Sequence, residues 1–158
     1  QYLMDLLAYR NRGESRIVDR IDDISGELPK FFRRVQDALL VDLHADYGTV
    51  DEASVFPQEM PDFYRGKVVT VYGKYKPGTD KDLALRLQGR AGAEKKEIVL
   101  RTDLESAEKG GREIAQGWAF QKTYHLIGEM TEAGETPEIM NEIRRLSDEF
   151  GVKTSYSP

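Results

Sequence analysis

Three side chains of types that bind metals, Asp42, His44 and Asp46, alternate along one predicted strand. Residues 39–47 read LLVDLHADY, and side chains two positions apart in a strand point to the same face. Carboxylate and imidazole groups are common metal ligands, but successive side chains on one face lie about 6.8 Å apart. Without a ligand from a second strand, they do not converge on one ion. We interpret the row as a solvated strand face that also discourages edge-to-edge pairing.

Two pairs of neighbouring carboxylates are further candidates for chemistry. Asp51 and Glu52 form one pair, and Asp103 and Glu105 form the other. Hydrolysis by a carboxylate pair needs two groups about 5–10 Å apart in a cleft, one of them with a shifted pKa. Both pairs lie in predicted turns, where acidic residues are common. A carboxylate-dependent hydrolase is therefore a remote alternative.

The other polar features have structural interpretations. His125 has no metal-ligand spacing around it, and we interpret it as a boundary residue of a helix. Gly110-Gly111 lacks the preceding strand and the longer glycine pattern of a phosphate loop, so we interpret it as a linker. Trp118 is expected to anchor its helix on the sheet. We predict no catalytic, cofactor-binding or metal-binding residues, no cofactor in this chain and no enzymatic activity.

Composition disfavours several partner classes. The chain has 158 residues, a formal net charge of -5 and no cysteine, which excludes disulfides and a cysteine nucleophile. Nucleic acids and anionic membranes need clustered basic faces, and the pairs Lys95-Lys96 and Arg144-Arg145 are too small to form one. No stretch approaches the about 20 consecutive apolar residues of a membrane helix. We predict no nucleic-acid partner and no membrane insertion.

The first residues have a helical pattern. Leu3, Leu6 and Leu7 follow helical spacing, and the run closes at Gly13. Because the pattern is already under way at the first residues and there is no initiating Met, we expect the sequence to be cut from a larger protein. A second amphipathic helix is indicated by apolar residues on one face, Ile24, Leu28, Phe31 and Val35. Pro29 moves its expected regular start to about Leu28.

The middle of the chain has the period of strands. Candidates are residues 39–47, 53–56, 67–76, 83–89 and 97–102, separated by short turns rich in proline and glycine. Residues 67–76 are expected near the middle of a sheet. Short strands joined by short turns indicate antiparallel pairing. We therefore predict an α+β fold, an antiparallel β-sandwich of about five strands with helices at both ends.

A helical hairpin is predicted at the C-terminal end. The first helix has an apolar stripe at Ala119, Thr123, Leu126 and Met130, widened by Phe120, Tyr124 and Ile127. Thr136-Pro137 is typical of the cap and first turn of a second helix, which Gly151 ends. Its predicted buried face comprises Ile139, Ile143, Leu146 and Phe150.

Several segments, in order, resemble one family. Residues 56–66 (FPQEMPDFYRG) resemble a proline-bracketed turn that leads into residues 68–75, and Gly117-Trp118-Ala119, residues 142–147 and residues 150–156 resemble the closing segments. Together they are similar to the region downstream of the metal-binding half of a von Willebrand factor type A domain. This region occurs in inter-alpha-trypsin inhibitor heavy chain-like proteins and in bacterial relatives that have a vault/inter-alpha-trypsin (VIT) domain. The resemblance covers nearly the whole chain.

The resemblance implies a domain arrangement and a role. Residues 1–38 would be the C-terminal remnant of the type A domain, residues 39–104 the β-sandwich, and residues 105–158 a helical hairpin and tail on the sheet. The family binds a divalent cation through an Asp-x-Ser-x-Ser loop, which this sequence lacks. The chain would therefore be a non-catalytic structural or interaction module of a larger adhesion or binding protein. The resemblance favours an extracytoplasmic or cell-surface location; the residues themselves leave the compartment undetermined.

The expected partners follow from that role. They are the remainder of the parent chain, with its type A and VIT domains, and a protein ligand. Because the remnant lacks the strands that would cover Leu3, Leu7 and Ile17, the first helix is expected to dock on the sandwich, swap between copies or form a homodimer. The alternative function is a stand-alone carbohydrate- or protein-binding β-sandwich. It requires an exposed aromatic platform, with candidates Tyr47, Tyr64, Tyr72 and Tyr75.

Overall fold

The computed structural model describes residues 4, 6–8, 11–36, 38–75 and 82–154. Residues 4 and 6–8 are helical, and a short 3-10 helix, Ile21–Asp23, leads into helix α1, Ile24–Val35. The strands are β1 (Ala38–Asp46), β2 (Phe63–Tyr64), β3 (Asp82–Ala91) and β4 (Glu94–Asp103), with a second 3-10 helix, Glu52–Ser54, after β1. Helices α2 (Arg112–Ala133) and α3 (Pro137–Phe150) follow.

The strands form one curled antiparallel sheet in the order β2-β1-β3-β4. The predicted combination of helices, an antiparallel sheet and C-terminal helices is thereby confirmed. Strands β3 and β4 form a hairpin through a turn at Gly92 and Ala93, where Gly92 has a φ of 62°. The predicted strands 83–89 and 97–102 lie within β3 and β4, and both observed strands extend further.

Two other predicted strands are wrong within the described residues. Residues 53–56 hold the end of a 3-10 helix and a single bridge, in which Phe56 pairs with Tyr72. Its two backbone hydrogen bonds are 2.7 and 2.8 Å long, and no other strand pairing occurs in residues 67–75. The residues of this segment favour the β conformation, but this preference alone does not provide a strand to pair with. Val68, within the segment, is 86% exposed. The short strand β2 was not predicted.

Strand β1 contains a bulge that changes which side chains are buried. Val41 pairs with Arg90 and His44 with Gln88, so β1 has one residue more than β3 between these pairs. Asp42, at the bulge, has a φ of 53°, and its backbone N–H donates to Asp62. Two buried side chains, Leu40 and Leu43, therefore lie three residues apart. The alternation predicted for residues 39–47 is therefore interrupted at Asp42.

Helix α1 passes through Pro29 instead of starting near it. The regular helix begins at Ile24, so the expected start at about Leu28 is wrong. Proline at this position removes one backbone hydrogen bond, to the carbonyl of Ser25. Ser25 is exposed, so water can bind that carbonyl. This lowers the cost of keeping the proline within the helix.

By internal contacts the chain divides into two compact units. The first, here called the sheet unit, comprises Gln1–Asp46, Glu59–Thr70 and Ala84–Leu100. Its fully buried side chains are apolar residues from the first helical turn, β1, the segment before β2, and β3: Leu6, Leu40, Leu43, Met60 and Leu87. Leu3, part of the predicted first helix, lies outside the described residues, while Leu7 and Ile17 are 48% and 41% exposed.

The second unit, here called the hairpin unit, comprises Tyr47–Gln58, Val71–Leu83 and Arg101–Pro158. Its core contains Phe56, Trp118, Ala119, Leu146 and Val152. The amide of Gln116 donates to the carbonyl of Phe150, and Lys122 lies 2.6 Å from Glu142, so α2 and α3 run in opposite directions, as predicted.

Both ends of α3 are also as predicted. Thr136 accepts a hydrogen bond from the backbone N–H of Ile139, Pro137 opens the helix, and Gly151 ends it with a φ of 73°. These signals act within a few residues of the chain, which explains why the sequence located this helix closely.

Glu142 joins the two helices of the hairpin unit through charge. Its carboxylate lies 2.8 Å from Arg145 Nε and 2.6 Å from Lys122 Nζ. Hydrogen bonds from Arg145 and, more weakly, from Lys122 lower the pKa of Glu142 to about 2, although partial burial acts to raise it. A carboxyl group with a pKa lowered on folding stabilises the fold above its unfolded pKa, about 4.5, and loses that contribution as the pH falls toward 2.

Replacing Glu142 with glutamine is therefore expected to be pH-dependent. The group is partly exposed, so the expected loss in the free energy of unfolding at pH 7 is only about 1 kcal/mol. At pH about 2.5 the difference between Glu142→Gln and the unchanged protein should largely vanish. Urea denaturation at the two pH values measures it. Glu138→Gln, on the exposed start of the same helix, is the control and should change stability by only a few tenths of a kcal/mol. A Glu142→Gln effect that grew as the pH fell would contradict the assignment.

Candidate functional site

The row Asp42, His44 and Asp46 is exposed along β1, as its interpretation as a solvated face predicts. Asp42 and His44 line a shallow groove of about 500 Å³ on the sheet unit. The other residues that line it come from β3 and β4: Gln88, Gly89, Arg90, Lys95, Lys96 and Glu97.

The polar groups of this groove are largely paired with each other. The Asp42 carboxylate lies 2.7 Å from Arg90, and the Gln88 amide donates to Glu97 over 2.8 Å. Within the part of the chain that the structure describes, no cluster of three His, Asp or Glu side chains is placed to hold a metal. The groove is therefore an open polar surface in which the charges of Asp42 and Arg90 compensate each other.

The candidate carboxylate pairs organise their own turns. Asp51 accepts a hydrogen bond from the backbone N–H of Ala53 and caps the second 3-10 helix. Asp103 accepts one from the N–H of Glu105 over 2.8 Å at the end of β4. These contacts are typical of acidic residues in turns. They give the two aspartates a structural role that the sequence pattern alone left open.

Trp118 and His125 lie on the side of α2 that faces the core of the hairpin unit. The Trp118 indole N–H donates to the carbonyl of Ser54 over 2.8 Å, and its ring meets Phe56 edge-on. His125 is half-buried, 5.5 Å from the Phe56 ring and 3.5 Å from the Glu129 carboxylate. His125 is thus a boundary residue, as interpreted, and Trp118 packs, within the hairpin unit, on the segment before the Phe56 bridge.

The four tyrosines considered for an aromatic platform differ in exposure. Tyr75 is 55% exposed, whereas Tyr47, Tyr64 and Tyr72 are half-buried. Burial, reinforced by the charge of Glu52, raises the pKa of Tyr47 above its usual value. Tyr72 is held against α2, since a Cβ at Gly117 would lie within 2.6 Å of its ring. Only one of the four is available to a ligand as an exposed ring.

Among the described residues, an exposed apolar surface lies on α1 and on the 3-10 turn that precedes it. We call Ile21, Ile24, Leu28 and Phe32 the α1 stripe; their side chains are 86%, 43%, 48% and 58% exposed, respectively. The last three are spaced four residues apart and lie in one row along the helix. The structure thus places two residues of the predicted apolar face, Ile24 and Leu28, on a surface open to solvent. The other two, Phe31 and Val35, are half-buried.

Ion pairs explain why the α1 stripe faces outward. Glu27 pairs with Lys30 and Arg16, both at 2.9 Å, and these contacts, that of Lys30 first, lower the pKa of Glu27. Arg34 pairs with Glu14 at 3.2 Å, and Glu14 also pairs with Lys67. These ion pairs thus hold one side of α1 against residues 14–16 of the same unit, and its most apolar row is left uncovered by the described residues.

Ile21 and Phe32 were not among the residues predicted for the apolar face of this helix. The sequence nevertheless indicates a second apolar row on α1. Its apolar residues form two adjacent rows, at 24, 28, 32 and at 31, 35, and together these rows are wider than one buried face. None of the helices in the described residues has the length and apolarity needed to span a membrane. No protein-family model matches this chain.

Proposed function

We propose that this chain is a non-catalytic structural and interaction module that docks through the α1 stripe on another domain of a larger protein. The exposure of Ile24, Leu28 and Phe32 on one side of an otherwise ion-paired helix carries this proposal. Covering apolar surface is worth about 25 cal/mol per Å², so such a row favours association. Contiguous exposed apolar surface is typical of an interaction site.

The partner we propose is the parallel sheet of a von Willebrand factor type A domain in the same protein. The similarity of residues 1–38 to the closing helices of that domain supports this choice. Helices of such folds cover the sheet with their apolar side. In this arrangement the type A domain binds the metal and the ligand, and the present chain positions it within an adhesion or binding protein.

Two finer predictions belong to the same proposal. The domain ranges 1–38, 39–104 and 105–158 remain a prediction, as does the β-sandwich of about five strands. In the described residues, the Phe56–Tyr72 bridge is the only pairing outside the four-stranded sheet. A second sheet layer would be built around this bridge.

The absence of cysteine makes a direct test available. A single thiol introduced by Leu28→Cys reports whether the α1 stripe is covered. In the present chain the thiol should react rapidly with a maleimide. When the chain is joined to the proposed upstream type A domain, of about 200 residues, the reaction should slow by at least about tenfold because the thiol is buried.

A matched variant controls for general effects of the longer chain. Lys30→Cys places the thiol on the same helix, at a side chain that is 62% exposed and outside the stripe. It should react at similar rates in the short and long proteins. Equal labelling of Leu28→Cys in both proteins would refute docking through the stripe, and an upstream sequence without an Asp-x-Ser-x-Ser loop would refute the metal-binding partner.

A further inference from the structure

Strand β4 has a free edge that is fully exposed. It is the last strand in the order β2-β1-β3-β4, and all ten of its residues are exposed. Its centre is apolar, with Ile98, Val99 and Leu100 at 40%, 45% and 53% exposure. Within the described residues no other strand pairs with the outer edge of β4. Such an edge presents unpaired backbone donors and acceptors to any strand that fits it.

The charges of β4 are arranged antisymmetrically about Val99. Glu97 lies two positions before Val99, and Arg101 lies two positions after it. Lys95 lies four positions before Val99, and Asp103 lies four positions after it. In an antiparallel pair of identical strands related by a two-fold axis through Val99, residues at equal distances on either side face each other. Glu97 then faces Arg101, and Lys95 faces Asp103, each pair occurring twice by symmetry.

The same register also places apolar groups together. Val99 faces its own copy, and on the opposite face of the sheet Ile98 faces Leu100. Directly opposed side chains in antiparallel strands have Cβ atoms about 4.5–5.5 Å apart, close enough for both contacts and ion pairs. One face of the joined strands would carry the ion pairs, and the other would carry a cluster of Ile98 and Leu100 from both copies.

The neighbouring symmetric registers are disfavoured. When the two strands are related by a two-fold axis normal to the sheet, residues that face each other point to the same side of the sheet. The axis must therefore pass through a residue, and the registers next to that of Val99 are centred on Ile98 and on Leu100. Centring the pair on Ile98 puts Lys95 opposite Arg101, and centring it on Leu100 puts Glu97 opposite Asp103. Like charges directly opposed are destabilising. Of these three registers, only that centred on Val99 matches unlike charges.

The side chains are available for these contacts. Glu97 accepts a hydrogen bond from Gln88 at Oε2, and Asp103 accepts one from Glu105 at Oδ1; among the described residues no contact is seen at Oε1 or Oδ2. The ion pairs found among the described residues involve neither Lys95 nor Arg101. We propose that two copies of this chain associate through β4, paired antiparallel about Val99, so that the sheet continues from one copy into the other.

Charge-swap variants test the register. Sedimentation velocity over about 1–500 μM should show a monomer–dimer equilibrium for the unchanged chain. Glu97→Lys brings lysine opposite Arg101, and Arg101→Glu brings two glutamates together, so each should weaken dimerisation by about tenfold or more. The double variant Glu97→Lys/Arg101→Glu restores unlike pairs and should dimerise within a few-fold of the unchanged chain. An equimolar mixture of the two single variants should form heterodimers, since both of their cross pairs are attractive.

A further control separates this edge from the first helix. Leu7→Lys changes an exposed residue that would contribute to the alternative homodimer through the N-terminal helix. It should leave the β4 dimer unchanged. An unchanged chain that stays monomeric throughout, single variants that dimerise as well as it does, or a double variant that fails to recover would each overturn the proposal. These outcomes are independent of the thiol-labelling test of the α1 stripe, which reports on a different surface.

Discussion

Replacing Trp118 with alanine is expected to lower the free energy of unfolding by about 3–5 kcal/mol, the cost typical of deleting a large buried aromatic side chain. Trp118 is 6% exposed and meets Phe56 and Phe150 edge-on, with ring centroids 6.0 and 6.2 Å away. Its indole N–H binds the Ser54 carbonyl, and the Lys74 ammonium lies 3.8 Å from its ring centre. One side chain therefore joins α2, the end of α3 and the segment that precedes the Phe56 bridge.

Two further variants divide this effect into its parts. Trp118→Phe keeps an aromatic ring but leaves the Ser54 carbonyl without its donor, with an expected cost of about 1–3 kcal/mol. Phe120→Ala removes an aromatic ring from the same helix at a site that is 44% exposed, and should cost about 1 kcal/mol. Urea denaturation followed by far-ultraviolet circular dichroism measures all three without relying on tryptophan fluorescence. A Trp118→Ala effect no larger than that of Phe120→Ala would contradict the assigned core.

The second large effect is expected in the sheet unit. Leu43→Ala should lower the free energy of unfolding by about 2–5 kcal/mol, because Leu43 is 2% exposed and its truncation leaves a cavity. The site is tightly packed, since a Cβ at Gly89 would lie 3.0 Å from Leu43 Cδ2. Thermal and urea denaturation measure the change, and amide hydrogen exchange in β1 should rise with it.

Leu39→Ala is the matched control for this prediction. It makes the same chemical change in the same strand, but Leu39 is 48% exposed. It should cost less than about 1 kcal/mol, since little apolar surface leaves the core. Similar losses for the two variants would show that the burial assigned across β1 is wrong.

Features encoded within a few residues were predictable from the sequence. Thr136-Pro137 and Gly151 marked the ends of α3, and the alternation in residues 83–89 marked β3, because caps and alternation depend only on neighbours in the chain. Features that depend on distant partners were not. Residues 67–75 have strong β propensity, yet within the described residues they make one bridge, at Tyr72, whose ring packs against Gly117 of α2.

The candidate surfaces show the same division. The periodicity of α1 showed an apolar row, but long-range contacts such as the ion pairs Glu14–Arg34 and Glu27–Arg16 determine which side of the helix is held against the rest of the chain. Similarly, the exposure of Asp42, His44 and Asp46 followed from alternation, whereas the pairing of Asp42 with Arg90 required the bulge. Periodicity in the sequence shows which residues share a face, whereas long-range contacts determine whether that face is buried or exposed.

The bulge at Asp42 has a consequence for comparing this chain with its relatives. On the N-terminal side of Asp42 the even-numbered Leu40 points inward, and on the C-terminal side the odd-numbered Leu43 does. Deleting Asp42 would make the ladder regular and would leave Leu40 and Leu43 two residues apart, the spacing at which both still point inward. Homologues lacking the extra residue should therefore match these two apolar positions only when a one-residue gap is placed at Asp42, which makes Asp42 a landmark for placing gaps in an alignment.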